Sequence, residues 1–192
     1  MVTSDEHPKH EKGLPTRDLL ASFLRHARQE AYAGNGVPIA PKDVERDGFN
    51  EFHITEDQWD YRDSYVGFLS FCGCELIRFN RCPIWYQSYD GRMLGHDGRG
   101  IFDRESYPLA KDAYAFLKRA LAKSALLSAR FYPRGPAKLL DGAWRYKCSW
   151  TGDIASFIGS EQILFQRELV YSLNFHGSII IGKDADIAEE EP

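Results

Sequence analysis

The sequence predicts an α+β protein made by internal duplication, in which a helix followed by a three-stranded antiparallel meander occurs twice. Two observations carry that expectation. First, Trp59, Tyr61, Ser64, Gly67, Phe71, Gly73, Glu75, Ile77, Phe79, Arg81 and Gly91 return in the same order as Trp144, Tyr146, Ser149, Gly152, Phe157, Gly159, Glu161, Ile163, Phe165, Arg167 and Gly177. The offset is 85 residues as far as Gly152 and 86 from Phe157 onward, which implies a single-residue insertion. Second, an apolar stripe at helical spacing precedes each block, with Phe23-Leu24 and Phe116-Leu117 at comparable places. The resulting fold has six strands in a largely antiparallel sheet, two helices on one face, and a pseudo-twofold axis between the halves.

Taken in order, residues 1–15 are polar and read as a disordered N-terminus. A first helix is expected from Thr16 to Ala33, capped by Thr16 or Asp18, with Leu19, Leu20, Phe23, Leu24, Ala27 and Ala31 on one face and Asn35-Gly36 as its stop. Residues 37–58 carry Pro38, Pro41 and Gly48 and read as a long connection holding one short strand at most. Strands are expected at 59–66, 68–79 and 83–94, with turns at Gly67 and Asn80-Arg81. A second helix spans 108–129, residues 131–142 form a loop, and strands follow at 143–151, 153–165 and 169–181. The halves, 16–100 and 101–182, are each too small to bury much surface alone, so 16–182 is read as one duplicated domain. Residues 183–192 form an acidic tail.

Composition narrows the function classes. Apolar residues make up 43% and aromatics 14%, which suffices for a core, and 27% charged residues give an ordinary water-facing surface. A net charge of −4 with scattered Lys and Arg offers no basic face to displace counterions, so direct nucleic-acid binding is not expected. No apolar run approaches a membrane helix, and the N-terminus has no signal-peptide stretch, so a cytoplasmic location is the default. Cys72, Cys74, Cys82 and Cys148 match neither a disulfide framework nor the paired CxxC spacing of zinc sites, so no metal and no cofactor is expected.

The repeated glutamate is the sharpest chemical signal. Period-two alternation puts Glu75 on one strand face with Phe71, Gly73, Ile77 and Phe79, and Glu161 with Phe157, Gly159, Ile163 and Phe165. A carboxylate on a buried face must be paired, hydrogen-bonded or protonated. The partners open to it from the sequence are the repeated Arg81 and Arg167 or a tyrosine hydroxyl, or else a ligand. The glycine two positions before each glutamate predicts a hollow beside the carboxylate. Trp85 and Tyr89, with Tyr171 and Phe175 at the matching places, would wall a pocket, and aromatics around a carboxylate suit a cationic or planar ligand. The ligand-binding set is therefore Glu75, Glu161, Trp85, Tyr89, Tyr171 and Phe175. The Gly91–Gly100 stretch lacks the Gly-Lys-Ser/Thr ending of a phosphate loop, and Asp90, His96 and Asp97 read as part of a connecting loop. Arg134-Gly135-Pro136 could offer a guanidinium to an anion but reads as a plain turn.

Tyr61-x-Asp63-x-Tyr65-x-Gly67, Phe71-x-Gly73-x-Glu75 and Trp85 to Gly91 resemble the first half of a bacterial domain family of unknown function. Arg134-Gly135-Pro136, Tyr146, Gly152-Asp153, Phe157-x-Gly159-x-Glu161-x-Ile163 and Tyr171 resemble its second half. The resemblance covers residues 17–181. It implies the fold, and it implies kinship with C-terminal domains of helix-turn-helix regulators of the phage-repressor type. Nothing before Thr16 is long enough for such a DNA-binding domain, so the expectation is a stand-alone sensor or partner. A small-molecule-binding module is the leading reading. The alternatives are an enzyme using Glu75 or Glu161 as general acid or base, and a protein-interaction module working through strand edges or the acidic tail.

Overall fold

The computed structural model describes residues 14–34, 36–95, 97–125 and 131–182. The expected N-terminal disorder over residues 1–13, the Asn35 stop, His96, the helix end at 126–129 and the acidic tail lie outside the described residues.

Helix α1 (Arg17–Glu30) starts where the sequence places it: the Thr16 hydroxyl accepts a hydrogen bond from the Leu19 N–H at 3.3 Å. Leu20, Phe23, Leu24 and Ala27 form its buried stripe. Four strands follow as a meander: β1 (Asn50–Glu56), β2 (Trp59–Gly67), β3 (Ser70–Phe79) and β4 (Cys82–Met93). Helix α2 (Tyr107–Ala125) leads to a second meander of β5 (Lys138–Asp141), β6 (Trp144–Asp153), β7 (Ser156–Phe165) and β8 (Glu168–Ile179). The eight strands make one sheet in the order β1-β2-β3-β4-β8-β7-β6-β5, antiparallel throughout.

This overturns the expected duplication of a helix and a three-stranded meander. The protein is largely β, with an eight-stranded sheet and two helices. The added strands are the two edges. In β1 only Phe52 and Ile54 carry the inward pattern, while Glu51, on the opposite face, is fully buried yet reads as polar. Its carboxylate accepts from Arg62 Nη1 at 2.6 Å, Ser64 Oγ at 2.9 Å and the Glu45 and Arg46 amides at 2.9 and 3.3 Å. β5 is only four residues long and lies inside the stretch read as a loop.

The turns explain the inner register. Asn80-Arg81 and Gln166-Arg167 both have positive φ at each central residue, the backbone of tight hairpin turns. Their arginines therefore sit at hairpin tips, not beside the buried glutamates as the sequence allowed. Gly67 (φ 100°) and Gly152 (φ 89°) open the β2–β3 and β6–β7 hairpins, and the second of these turns is one residue longer.

Both helices cover the same face of the sheet. Phe23 stacks on Trp59 at 4.7 Å between ring centroids, and Phe116 packs on Trp144 at 5.7 Å. Trp85, Gln87, Tyr89, Gly91 and Met93 of β4 alternate into that interior, and residues between them face outward. Among the described residues no helix is long and apolar enough to cross a membrane.

Candidate functional site

Strand register assembles a row of polar side chains under the helices. Asp63 on β2 pairs with Glu75 on β3, which pairs with Gln87 on β4. The aligned row in the other meander is Cys148 on β6, Glu161 on β7 and Leu173 on β8. All six side chains are buried.

Two arginines neutralise the two glutamates. Arg28 reaches down from α1, sending Nε to Glu75 Oε2 at 2.8 Å and Nη2 to the same oxygen at 2.6 Å. Its other contacts are the Gln87 side-chain oxygen at 3.2 Å and the Tyr132 carbonyl at 3.0 Å. Arg134 enters from the α2–β5 connection and meets Glu161 through Nη2 at 3.0 Å and Nε at 3.4 Å, with Nη1 3.6 Å from Glu75. The segment read as a plain turn is thus a buried lock between the two carboxylates. Burial alone would lower the Arg134 pKa, but the charge of Glu161, helped by Tyr171 and Glu75, drives it well above the usual arginine value.

Glu161 is saturated. Besides Arg134 it accepts from the Tyr146 hydroxyl at 2.7 Å and the Tyr171 hydroxyl at 2.8 Å. The Tyr146 oxygen also accepts from the Gly135 N–H at 2.9 Å, so the Arg134 segment is pinned from both sides. Only glycine fits at 135, because a Cβ would lie 2.5 Å from that oxygen. Burial, then the Glu161 charge, raises both tyrosine pKa values well above normal, so the hydroxyls remain donors.

The hollows expected beside the glutamates are filled. A Cβ at Gly73 would sit 2.4 Å from the Tyr89 hydroxyl, and one at Gly159 would sit 2.5 Å from the Phe175 ring. The glycines make room for the neighbouring strand's aromatic, which spans the gap that a ligand was expected to use.

Asp63 is the odd charge. With Arg28 and Arg134 balancing Glu75 and Glu161, a fifth ionised group has no counterion of its own. Its Oδ1 accepts from the Tyr89 hydroxyl at 2.7 Å. Burial first, and then the Glu75 charge, raise its pKa to about 7, against the opposing pull of Tyr89 and both guanidiniums.

Open space begins at Asp63. A cavity of about 400 Å³ lies between α2 and strands β2–β4, walled by Tyr32, Tyr65, Phe68, Phe71, Tyr89 and Tyr114, with Asp63 and Arg134 in its floor. Lys111 and Lys118 line it from α2. A smaller space of about 50 Å³ under α1 shares Tyr32, Asp63 and Arg134 with it and adds Arg28, Tyr61 and Glu75.

Of the residues singled out from sequence, Tyr89 lines the larger space and Glu75 the smaller. Glu161 and Tyr171 are bonded to each other in the core. Trp85 donates to the Ile154 carbonyl at 3.1 Å and stacks on Phe157, which also packs against Phe175. Sequence reasoning missed Arg28, Asp63 and Gln87, and set Arg134 aside as part of a plain turn. For two of them the sequence did hold a signal. Arg28 falls four residues after Leu24 on the apolar stripe, and Asp63 alternates between Tyr61 and Tyr65 on a buried face.

The chain matches no curated protein and no solved structure. Residues 63–180 match a family model described as a domain of unknown function, DUF5680, and this segment holds the Asp63–Glu75–Gln87 row, Arg134 and the whole Glu161 cluster. By that match, which spans more than half its length, the chain belongs to the DUF5680 family.

Proposed function

We propose that the protein is a small-molecule-binding or sensor module whose site is the cavity between α2 and β2–β4. The observation that carries this reading is the combination of a 400 Å³ space, six aromatic walls and one buried carboxylate, Asp63, lacking a counterion of its own. Ligand sites are commonly of this size, mostly apolar, with a few placed polar groups. A buried acid with a raised pKa weakens the fold at neutral pH, which is the mark of a residue kept for another purpose.

The enzyme alternative draws less support at the repeated glutamates. Both Glu161 oxygens already accept two hydrogen bonds each, and Glu75 is held by Arg28, so neither is free to exchange a proton with a substrate.

A thermal-shift screen against flat aromatic compounds of each charge type tests the reading, with Ala115→Trp as control. Ala115 is exposed and lines the cavity, so tryptophan there should block entry without disturbing the core. Ligand at about 100 times its dissociation constant should stabilise wild type by about 2.7 kcal/mol and leave the variant unmoved. Equal shifts in both proteins, or none in either, would place binding elsewhere or refute it.

A further inference from the structure

Resting on the cavity reading above, we propose that the occupant is a flat aromatic acid, its anionic group held by Lys111 and Lys118 at the mouth and its ring lodged among Tyr65, Phe71 and Tyr114. Around this one space most of the charge is already committed. Arg134 also lines it, but its guanidinium is spent on Glu161 and Glu75. Lys111 and Lys118 are both exposed, lie seven positions apart on the same side of α2, and have no acidic partner within ion-pair distance among the described residues. Lys118 is instead held with its ammonium 4.7 Å from the centre of the Tyr32 ring, a cavity wall, which keeps its charge at the opening. Two cations without an ion-pair partner among the described residues thus face a single acid at the floor.

The floor selects the other end of the ligand. Asp63 Oδ1 is taken by Tyr89, and no described residue donates a hydrogen bond to Oδ2. A hydroxyl or amino group on the far edge of the ring would meet that acceptor, whereas a second anionic group would be repelled. A cationic amine placed there would have to pass between two lysines and would leave them unused. The walls select the middle: Tyr114 stands edge-on to both Phe68 and Phe71, at 70° and 83° between planes, so the surface offered to a ring is itself built of ring faces and edges.

Calorimetric titration of the full chain with naphthoate, naphthamide and naphthylmethylamine, which share one ring system and differ in charge, tests the assignment. Naphthoate should bind tightest, and a hydroxynaphthoate should bind more tightly than the methoxy analogue, which cannot donate to Asp63. Replacing both lysines, Lys111→Gln with Lys118→Gln, should weaken naphthoate about ten- to a hundredfold, the equivalent of losing a charge-assisted hydrogen bond, and leave naphthamide unchanged. Both positions are exposed, so melting of the double variant should match wild type. If naphthamide or the amine binds as well as naphthoate, or the double variant loses nothing, the aromatic-acid assignment is overturned while the cavity reading stands. If none of the three binds to wild type in a way that Ala115→Trp abolishes, both are overturned.

Discussion

Glu75 and Glu161 occupy aligned places in the two meanders, yet their surroundings have opposite character. Around Glu161 the neighbours are Cys148, Leu173 and Phe175, and every lone pair of the carboxylate is used by Arg134, Tyr146 and Tyr171. Around Glu75 the same three places hold Asp63, Gln87 and Tyr89, and a cavity opens at Asp63 and Tyr89. The polar row is also less well satisfied. The Gln87 side-chain nitrogen is buried without a hydrogen-bond partner among the described residues. The difference teaches that a buried carboxylate has no single meaning. One meander uses it to lock the chain, and the other holds it beside a cavity whose own acid, Asp63, lacks a counterion of its own.

The largest expected effect lies on the locked side. Glu161→Ala removes the acceptor of four hydrogen bonds and leaves Arg134 with Glu75 alone, so it should cost about 3–5 kcal/mol in urea unfolding. Glu75→Gln should cost less, because Arg28 retains the Gln87 oxygen and the Tyr132 carbonyl, and Arg134 retains Glu161. Equal losses would erase the distinction. Next come Gly73→Ala and Gly159→Ala. Each drives a methyl into an aromatic ring and a strand carbonyl, at a cost of about 1–3 kcal/mol by overpacking, and should be similar in both meanders.

The pH dependence separates the meanders again. The Asp63 pKa is raised on folding from its ordinary value to about 7, so the folded state binds the extra proton between those limits. Its contribution is fully present below about pH 4 and is lost as pH rises through 7, with a slope approaching 1.4 kcal/mol per pH unit. Urea midpoints across that window should show this slope in wild type and not in Asp63→Asn. The smallest effect is Tyr89→Phe, which places at position 89 the side chain that position 175 already has. It removes one hydrogen bond, worth about 1 kcal/mol. It also removes a group that lowers the Asp63 pKa, so the pH-dependent loss should move to higher pH.

How much of this was legible follows from the kinds of signal involved. Period-two alternation and repeated glycines located the six inner strands, because those positions are set by local sequence. Edge strand β5 escaped, and β1 was allowed for only as one unplaced short strand in the 37–58 connection. In β1 the outer face is buried by an ion cluster around Glu51, so only Phe52 and Ile54 mark the strand, and β5 is too short to show a pattern. The burial of both glutamates was readable from their face-mates. Their partners were not, because Arg28 lies 47 residues from Glu75 and Arg134 lies 27 from Glu161, and only the packed helix and connection bring them close. The glycine hollows were misread because alternation says which side a residue faces, not which neighbour's ring fills the gap. Asp63 stood in plain view between the buried Tyr61 and the half-buried Tyr65; its meaning depended on knowing that the arginines were already taken.

The most direct test of the contrast is the urea midpoint of Asp63→Asn against wild type at pH 8, where the carboxylate must be buried ionised. If Asp63 is an uncompensated acid kept at the cavity floor, the variant unfolds at a higher urea concentration than wild type, since asparagine can still accept from Tyr89 without carrying a charge. A variant that unfolds at markedly lower urea would mean that Asp63 is a structural anion like Glu161, and the division between a locked meander and an open one would fall.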